Sequence, residues 1–313
     1  MQTRRHQVLL SIAAALALMT TAPQVAAQAV VNPETDVSVA HPAYRSGAGP
    51  IVAIDEGHNN YHTLEGRYAP FGAVLKNNGF RVVPSVGRFE TSALAGIDVL
   101  VISNPLASSN VDSWKLPTPS AFDSSEIETV RTWVHSGGAL FLIADHMPFA
   151  GAASDLAAAF GFAFDNAYAV KGDGLTPEIF SREAKTLSDN AITNGLGRGP
   201  SITEVQTFMG SSFRGPAATV PIMTLDEGWM LLYPEEAGKF DAVVRRRPAT
   251  RLDFRGAALN YGNGRVVVVS EAALFTNQLV KGSPYGFGQP SAKQDKQLLI
   301  NIVEWLGQTP GSP

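Results

Sequence analysis

The sequence predicts an α/β protein whose sheet is mostly parallel and carries an antiparallel extension near the C-terminus. In the first half of the chain, short apolar runs alternate with segments of helical periodicity, the order expected of parallel strands joined by helices. The run Ile97–Ser103 is almost continuously apolar, as central parallel strands buried on both faces are. Later, Ala257–Tyr261 and Arg265–Ser270 flank a Gly-Asn-Gly sequence, which is typical of an antiparallel hairpin.

A first strand, helix and strand are predicted between residues 51 and 86. Ile51–Ile54 is an apolar run and predicts a buried strand. Gly66–Asn78 predicts a helix, with Gly79 as its stop signal. Phe80–Val86 predicts the second strand, and its Pro84 indicates an edge position, because proline cannot donate a hydrogen bond to a neighbouring strand.

A capped helix and a buried strand follow the third strand, Ile97–Ser103. Asp123 and Glu126 have the spacing of a capping box, in which each side chain satisfies a backbone N–H group at the start of a helix. This helix is expected to close at Gly137 and Gly138, and Ala139–Ala144 predicts the fourth strand. A helix of small residues that suits close packing on the sheet is then predicted at Ala152–Gly161.

Beyond Phe164 the periodic signal weakens. An irregular insertion is predicted around residues 165–235, in which Thr219–Thr224 is the one strand expected. After the hairpin, Ala272–Leu279 and Lys293–Leu306 predict two helices. The late hairpin completes the predicted mixture of a parallel sheet and an antiparallel extension.

The N-terminus has the pattern of a secretory signal peptide. Two arginines precede an apolar, alanine-rich stretch, and small residues suit cleavage after Ala27 or Ala29. Residues 1–29 are therefore predicted to be a signal peptide, and the mature protein is predicted to be periplasmic or secreted. Residues 30–49 predict an extended arm, and residues 50–313 a single domain.

Composition and motifs exclude several classes of function. A formal net charge of -4 gives no electrostatic footprint for nucleic acid, and the absence of cysteine excludes a thiol nucleophile. No Walker loop and no G-x-G-x-x-G follows a strand, so no nucleotide cofactor is expected. No G-x-S-x-G sequence marks a serine nucleophile. No membrane contact is expected after signal cleavage, a small molecule is the expected partner, and the sequence leaves the oligomeric state open.

Polar side chains follow two of the predicted strands at the point where each strand ends. Asp55, Glu56 and His58 follow the first, and Asp145 and His146 follow the fourth. In an open α/β sheet, ligands bind beyond the carboxyl ends of the strands. The sequence therefore predicts a functional site at this edge, with Glu56, Asp145 and His146 as catalytic candidates.

Two kinds of site suit these residues. His58, His62 and His146 are candidate metal ligands, and imidazoles with a carboxylate suit zinc, iron, nickel or manganese. An all-oxygen set suits calcium. The candidate all-oxygen set is Asp55, Glu56, Asn59 and Asp145. A bound metal would lower the pKa of its water to roughly 7. Without a metal, Asp145 is expected to orient His146 as a base.

Further polar residues are candidates for holding a substrate. Arg67 can bind a carboxylate through two parallel hydrogen bonds, although a surface salt bridge is the alternative. Glu271 follows the hairpin and either joins the site or caps the next helix. The full candidate set is Asn59, Arg67, Asn104 and Glu271.

Three segments resemble a bacterial family of unknown function in the class I glutamine amidotransferase-like superfamily, which also includes trehalose-utilisation-like and intraflagellar-transport-type domains. They are DEGHNNYHTLEGRYAPFGAVLKNNGFRV, GGALFLIADHMPF and the tail GRVVVVSEAALFT with DKQLLINIVEWL. The resemblance covers most of Ile51–Leu306 and implies a flavodoxin-like three-layer sandwich. The amidotransferase cysteine has no counterpart here, and the resemblance implies that related domains without it bind sugars or other small ligands.

Two functions follow from these residues. The first is an exported hydrolase that uses a metal- or histidine-activated water on a small ester, lactone, amide or glycoside. The second is a non-catalytic domain of the cell envelope that binds a carbohydrate or another small ligand, with aromatic side chains as stacking platforms. The candidate platforms are Tyr61, Phe149, Tyr285 and Phe287.

Overall fold

The computed structural model describes residues 29–308, except residues 33, 34, 173, 175, 176, 242 and 281. All but the last residue of the predicted signal peptide lies outside this part of the chain. The helices are α1 Ala69–Asn77, α2 Ser124–His135, α3 Phe149–Ala158 and α4 Asp295–Leu306. The strands are β1 Ala29–Val31, β2 Ile51–Asp55, β3 Arg81–Ser85, β4 Val99–Ser103, β5 Ala139–Ile143, β6 Ala163–Asp165, β7 Tyr168–Lys171, β8 Glu178–Ser181, β9 Glu204–Thr207, β10 Ser212–Arg214, β11 Val220–Thr224, β12 Trp229–Pro234, β13 Val243–Pro248, β14 Phe254–Tyr261, β15 Gly264–Val269, β16 Asn277–Val280 and β17 Ser283–Gly286.

A large mixed sheet forms the centre of the fold. Its parallel half has the order β3-β2-β4-β5-β15. β3, which follows β2 along the chain, therefore lies at the edge of the sheet, outside β2. This is the strand order of flavodoxin-like folds. β14, β10 and β6 extend the sheet with antiparallel pairing, and β11 also pairs with β14. The predicted α/β fold with a mostly parallel sheet and an antiparallel hairpin extension is confirmed.

Helices cover both faces of the sheet, and successive side chains of its buried strands point to opposite faces. In β2, Val52 and Ile54 pack in one hydrophobic cluster and Ala53 packs in the other. The first cluster includes apolar side chains of α1 and α4, and the second includes those of α2 and α3. Helices on both faces explain why these strands are continuously apolar in sequence.

The predicted capping box is present at the start of α2. Asp123 Oδ1 accepts hydrogen bonds from the backbone N–H groups of Ser125 and Glu126, at 2.9 and 3.0 Å. Glu126 Oε2 in turn accepts the N–H of Asp123 at 3.1 Å. Both ends of the box are therefore satisfied, as the spacing of the two residues predicted.

Removing this cap is expected to destabilise the protein slightly. For an Asp123→Ala variant we expect the midpoint of thermal unfolding to fall by about 2–4 °C, because two backbone donors lose their acceptor. Circular dichroism during heating measures this change. Glu128→Ala, a control on the exposed face of the same helix, should shift the midpoint by less than about 1 °C. Equal shifts in both variants would contradict the capping role.

Two predicted segments differ from the structure. Between residues 165 and 235, the described part of the chain contains six strands, β7 to β12, rather than the one predicted. Most are short antiparallel strands whose partners are distant in sequence. The helix predicted at Ala272–Leu279 is only a 3-10 turn at Ala273–Phe275, followed by β16. β16 pairs with β1 on one side and β17 on the other, so its backbone hydrogen bonds are satisfied as a strand.

No helix in the described part of the chain is both long and apolar enough to span a membrane.

Candidate functional site

The carboxyl ends of β2, β4, β5 and β15 meet where the strand order reverses between β2 and β4. The segment after β2 is tied to the segment after β4 through backbone hydrogen bonds. Tyr61 N–H donates to Asn104 O at 2.9 Å, and Leu106 N–H donates to His58 O at 3.0 Å. Ligands of open α/β sheets bind at such a reversal point. The predicted polar residues therefore surround the expected ligand position of this fold.

His58 lies between two carboxylates. Its Nδ1 is 3.0 and 2.9 Å from Asp55 Oδ1 and Oδ2, and its Nε2 is 3.1 Å from Glu126 Oε1. All three side chains are buried, and the rings of Phe89 and Phe122 lie 4.4 and 4.8 Å from the imidazole centre. His58 thus joins the loop after β2 to the start of α2.

The charge state of His58 follows from these neighbours. Burial lowers the pKa of His58, but the hydrogen bonds and negative charges of Asp55 and Glu126 outweigh burial and raise the pKa above its usual value. A protonated ring donates from both nitrogens and leaves no lone pair for a metal. The contacts with Asp55 and Glu126 give His58 a role in joining two segments of the fold, and metal ligation by His58 stays a prediction from the sequence.

His62 occupies a different environment. It is buried between Tyr61 and Tyr68, whose ring centres lie 5.4 and 4.8 Å from its own. Burial, together with the positive charge of Arg67, lowers the pKa of His62 well below its usual value, so the ring is neutral at pH 7. Its buried Nδ1 has no hydrogen-bond partner in the described part of the chain.

Within the described residues, no group of three or more His, Asp or Glu side chains is arranged to hold a metal ion. His58 is bonded to carboxylates, as above. Asp55, a member of the predicted all-oxygen set, accepts from Gly57 N–H at 3.0 Å and from Asn60 Nδ2 at 2.5 Å. Binding of zinc, calcium or manganese stays a prediction from the sequence.

Asp145 orients the backbone and not the imidazole of its neighbour. Asp145 Oδ1 accepts the backbone N–H of His146 at 2.8 Å, and Asn104 Oδ1 accepts the N–H of Asp145 at 2.8 Å. The prediction that Asp145 holds the His146 ring is therefore wrong, because the ring turns toward another acceptor. Burial raises the pKa of Asp145 above its usual value, although the charges of His146 and Arg255 oppose this shift.

His146 has a half-buried ring with a defined tautomer. Its Nδ1 is 2.6 Å from the carbonyl oxygen of Met147. Because a carbonyl only accepts, Nδ1 carries the hydrogen, and in the neutral ring Nε2 keeps the lone pair. The imidazole stacks on Tyr168, with ring centres 4.2 Å apart. This arrangement gives His146 the form that a general base requires.

The other predicted residues near β2 brace the loop. Glu56 Oε1 accepts the N–H of Leu64 at 2.7 Å, so this carboxylate already has a partner. Asn59 has a positive φ of 49° and donates from Nδ2 to Leu106 O at 3.1 Å, as a turn residue does. The Arg67 guanidinium lies 4.1 Å from the ring centre of Tyr61 in a cation–π contact.

Glu271 both caps a turn and joins a buried charged cluster. Its Oε1 and Oε2 accept the N–H groups of Ala273 and Leu274 at 2.7 and 2.9 Å, which satisfies the 3-10 turn. Burial, with a smaller effect of the Asp145 charge, raises the pKa of Glu271 well above its usual value. The predicted capping role of Glu271 is thus observed at this turn, and its role as a substrate-binding residue stays a prediction.

Arg255 is a buried charge that the sequence interpretation missed. Its side chain is fully buried; Nη1 donates to Ser211 O at 2.6 Å and Nη2 donates to Glu178 Oε2 at 3.1 Å. Its positive charge opposes the rise in pKa that burial causes at Asp145, Glu178 and Glu271. A single arginine within the apolar strand β14 was the available signal, but only the fold reveals its partners.

Comparisons with known proteins support the fold. No protein-family model and no curated protein matches the chain. The solved mmIFT52 N-terminal domain is similar, with 12% identity and a TM-score of 0.57 over 84% of this chain and 100% of that domain. At this identity the likeness shows a shared fold and nothing about activity.

Two further solved structures align at lower TM-scores. A ThuA-like protein from Bacteroides uniformis is 10% identical, with a TM-score of 0.46 over 88% of this chain and 95% of that chain. Cytoplasmic protein STM1381 from Salmonella typhimurium LT2 is 14% identical, with a TM-score of 0.45 over 83% of this chain and 100% of that chain. Membership in the bacterial family of unknown function stays a prediction.

Proposed function

We propose that this chain is an exported hydrolase in which His146 activates a water molecule against a small ester, lactone or amide. The observation that carries the proposal is the ring of His146, half-buried at the carboxyl edge of the sheet with Nδ1–H held on Met147 O. The tautomer leaves Nε2 as the proton acceptor. Export rests on the predicted signal peptide, and the mature N-terminus of the secreted product tests it.

The proposed reaction consumes one water molecule. The water oxygen bonds to the carbonyl carbon while a proton moves from water to His146 Nε2. The tetrahedral intermediate then breaks its bond to the leaving oxygen or nitrogen, and the imidazolium returns the proton to that atom. An acid and an alcohol or amine result. Tyr168, stacked on the imidazole, and Met147 O limit the rotation of the ring and so favour the reactive geometry.

Replacing His146 tests the proposal. For His146→Ala we expect kcat/KM on p-nitrophenyl acetate to fall at least about a hundredfold, since general base catalysis contributes that much or more. His41→Ala, a change at an exposed histidine, is the control and should retain full activity. Assays with and without a chelator separate the histidine mechanism from the metal alternative. Equal rates for His146→Ala and the unmodified protein would rule out the histidine mechanism.

A non-catalytic ligand-binding domain is the second proposal, and a half-buried aromatic side chain favours it. Tyr61 is half-buried at the carboxyl edge of the sheet, and the Arg67 guanidinium lies over one face of its ring in a cation–π contact. Phe149, another predicted platform, is buried. Tyr285 packs against Phe208, with ring centres 5.0 Å apart. Calorimetric binding of a glycan by a protein that hydrolyses none of the esters would favour this function.

A further inference from the structure

We infer that Trp114, Met209 and Phe240 form an apolar wall beside His146 that receives the hydrocarbon chain or aryl group of the substrate. This inference rests on the proposed hydrolase and names its substrate class as esters or amides with an apolar acyl group. The three side chains, here called the apolar wall, are half-buried and pack on the buried cluster that contains Met147 and Tyr168.

Two members of the apolar wall, Trp114 and Phe240, lie near the proposed base. Trp114 has its ring centre 6.5 Å from that of His146 and 4.9 Å from that of Phe149. Phe240 lies 4.9 Å from Tyr168, the ring on which His146 stacks. A group bonded to a carbonyl at His146 therefore has apolar side chains on the neighbouring surface.

Backbone hydrogen bonds hold the loops that carry this wall. Ala237 N–H donates to Trp114 O at 2.8 Å, and Leu116 N–H donates to Glu235 O at 2.8 Å. These bonds join the long loop after β4 to the loop after β12, which carries Phe240. Loops joined in this way present Trp114 and Phe240 at a defined spacing, as preorganised pockets do.

Met209 adds an independent observation. Its φ of 93° is unusual for a residue with a side chain. Its N–H donates to Glu178 Oε2 at 3.1 Å, and the same oxygen accepts from the buried Arg255. Strained backbone of this kind persists where the surrounding structure holds it, and it is concentrated at ligand sites. The charged pair thus holds the backbone of Met209, a member of the apolar wall, in place.

The chemistry of the wall favours an apolar group over a sugar. Met209 and Phe240 have no hydrogen-bonding hydrogen on their side chains, and Trp114 has one. A sugar ring presents many hydroxyl groups that need partners, and leaving them unpaired costs binding. Contiguous half-exposed apolar side chains beside a polar site mark ligand-binding grooves. An acyl chain gains from this contact in proportion to the area it buries.

Chain-length dependence tests the inference. Each buried methylene is expected to raise kcat/KM about fourfold, so p-nitrophenyl butyrate, which has two more methylenes, should exceed the acetate by about fifteenfold. Met209→Gly, which also suits the positive φ, and Phe240→Ala should bring this ratio close to one. Met230→Ala replaces a methionine that is 36% exposed and outside the wall, and should leave the ratio unchanged.

A binding measurement separates this inference from the proposed function. In the unmodified protein, 4-phenylbutan-1-ol should change the tryptophan fluorescence, and Trp114→Phe should lose that change. If this signal occurs while no ester is hydrolysed, the hydrolase proposal fails and the apolar wall is supported. If esters are hydrolysed with no chain-length preference, the wall is refuted and the hydrolase stands. Binding of methyl glucoside in place of the alcohol would also refute the wall.

Discussion

A His58→Gln variant is expected to lose about 3–5 kcal/mol of unfolding free energy, because removing one member of a buried ionic network leaves its partners without a counter-charge. His58, Asp55 and Glu126 are all buried, and the imidazole bridges the two carboxylates. Glutamine cannot supply the positive charge. The loss should appear as a lower denaturant midpoint at unchanged slope in urea unfolding.

The pH dependence of this loss has a definite sign. The folded-state pKa of His58 is raised above its unfolded value of about 6.5, so the stabilisation is fully present below that pH. The stabilisation is lost as pH rises through the folded-state pKa. The groups that face the ring or its carboxylate partners are Asp55, Glu126 and Arg88, the last 3.9 Å from Glu126. We therefore expect the difference between His58→Gln and the unmodified protein to be largest below about pH 6.5.

His135→Gln is the matched control for this experiment. His135 is an exposed histidine in the last turn of α2, and its ring centre lies 5.9 Å from that of Tyr261. Its replacement should change the unfolding free energy by less than about 0.5 kcal/mol at any pH. A His58→Gln variant as stable as this control, or one whose deficit grows with pH, would show that the ion network does not stabilise the fold.

Replacing Arg255 by methionine is expected to cost a similar amount, about 3–5 kcal/mol at neutral pH. The guanidinium is fully buried and pairs with Glu178 at 3.1 Å. Methionine fills part of the volume but leaves Glu178 without its ion partner. Burial already raises the pKa of Glu178, and without Arg255 this pKa should rise further.

The direction in which the stability deficit of Arg255→Met changes with pH again follows from the raised pKa of Glu178. A carboxyl whose folded-state pKa is raised stabilises the protein at low pH and loses that contribution as pH rises. The deficit of Arg255→Met should therefore shrink in acid, where Glu178 is protonated. Adding Glu178→Gln should recover part of the deficit, because the uncompensated charge is then removed. Urea unfolding measures the free energy of unfolding of the single and the double variant. Arg251→Met, a change at an exposed arginine, is the control. A deficit under about 1 kcal/mol would contradict the role of the pair.

The parallel strands could be predicted because their signal is local. β2, β4 and β5 are short apolar runs bounded by polar residues. Such runs are typical of parallel strands that are buried on both faces of the sheet. The capping box of α2 was equally local, since it depends on two residues three positions apart. The strands between residues 165 and 235 could not be predicted, because short antiparallel strands depend on partners far along the chain.

The position of the candidate site could be predicted from the sequence, but the contacts of its side chains could not. The polar residues after β2 and β5 do meet at one edge of the sheet. The sequence did not indicate that His58 contacts Glu126 or that Asp145 accepts the backbone N–H of His146, because such contacts depend on residues that the fold brings together. Glu126 lies 68 residues beyond His58, and its known part in the capping box gave no sign of a second partner.

By itself, the sequence determined the fold class, the strand ends that carry polar residues and the absence of a cysteine nucleophile. Periodicity and composition act over a few neighbouring residues, so they can be read along the chain. Only the tertiary structure decided that His58 is held between carboxylates, that Nδ1 of His146 donates to Met147 O, and that Arg255 is buried against Glu178. Charge states and hydrogen-bond partners arise from residues brought together across the fold, and burial makes those encounters energetically decisive.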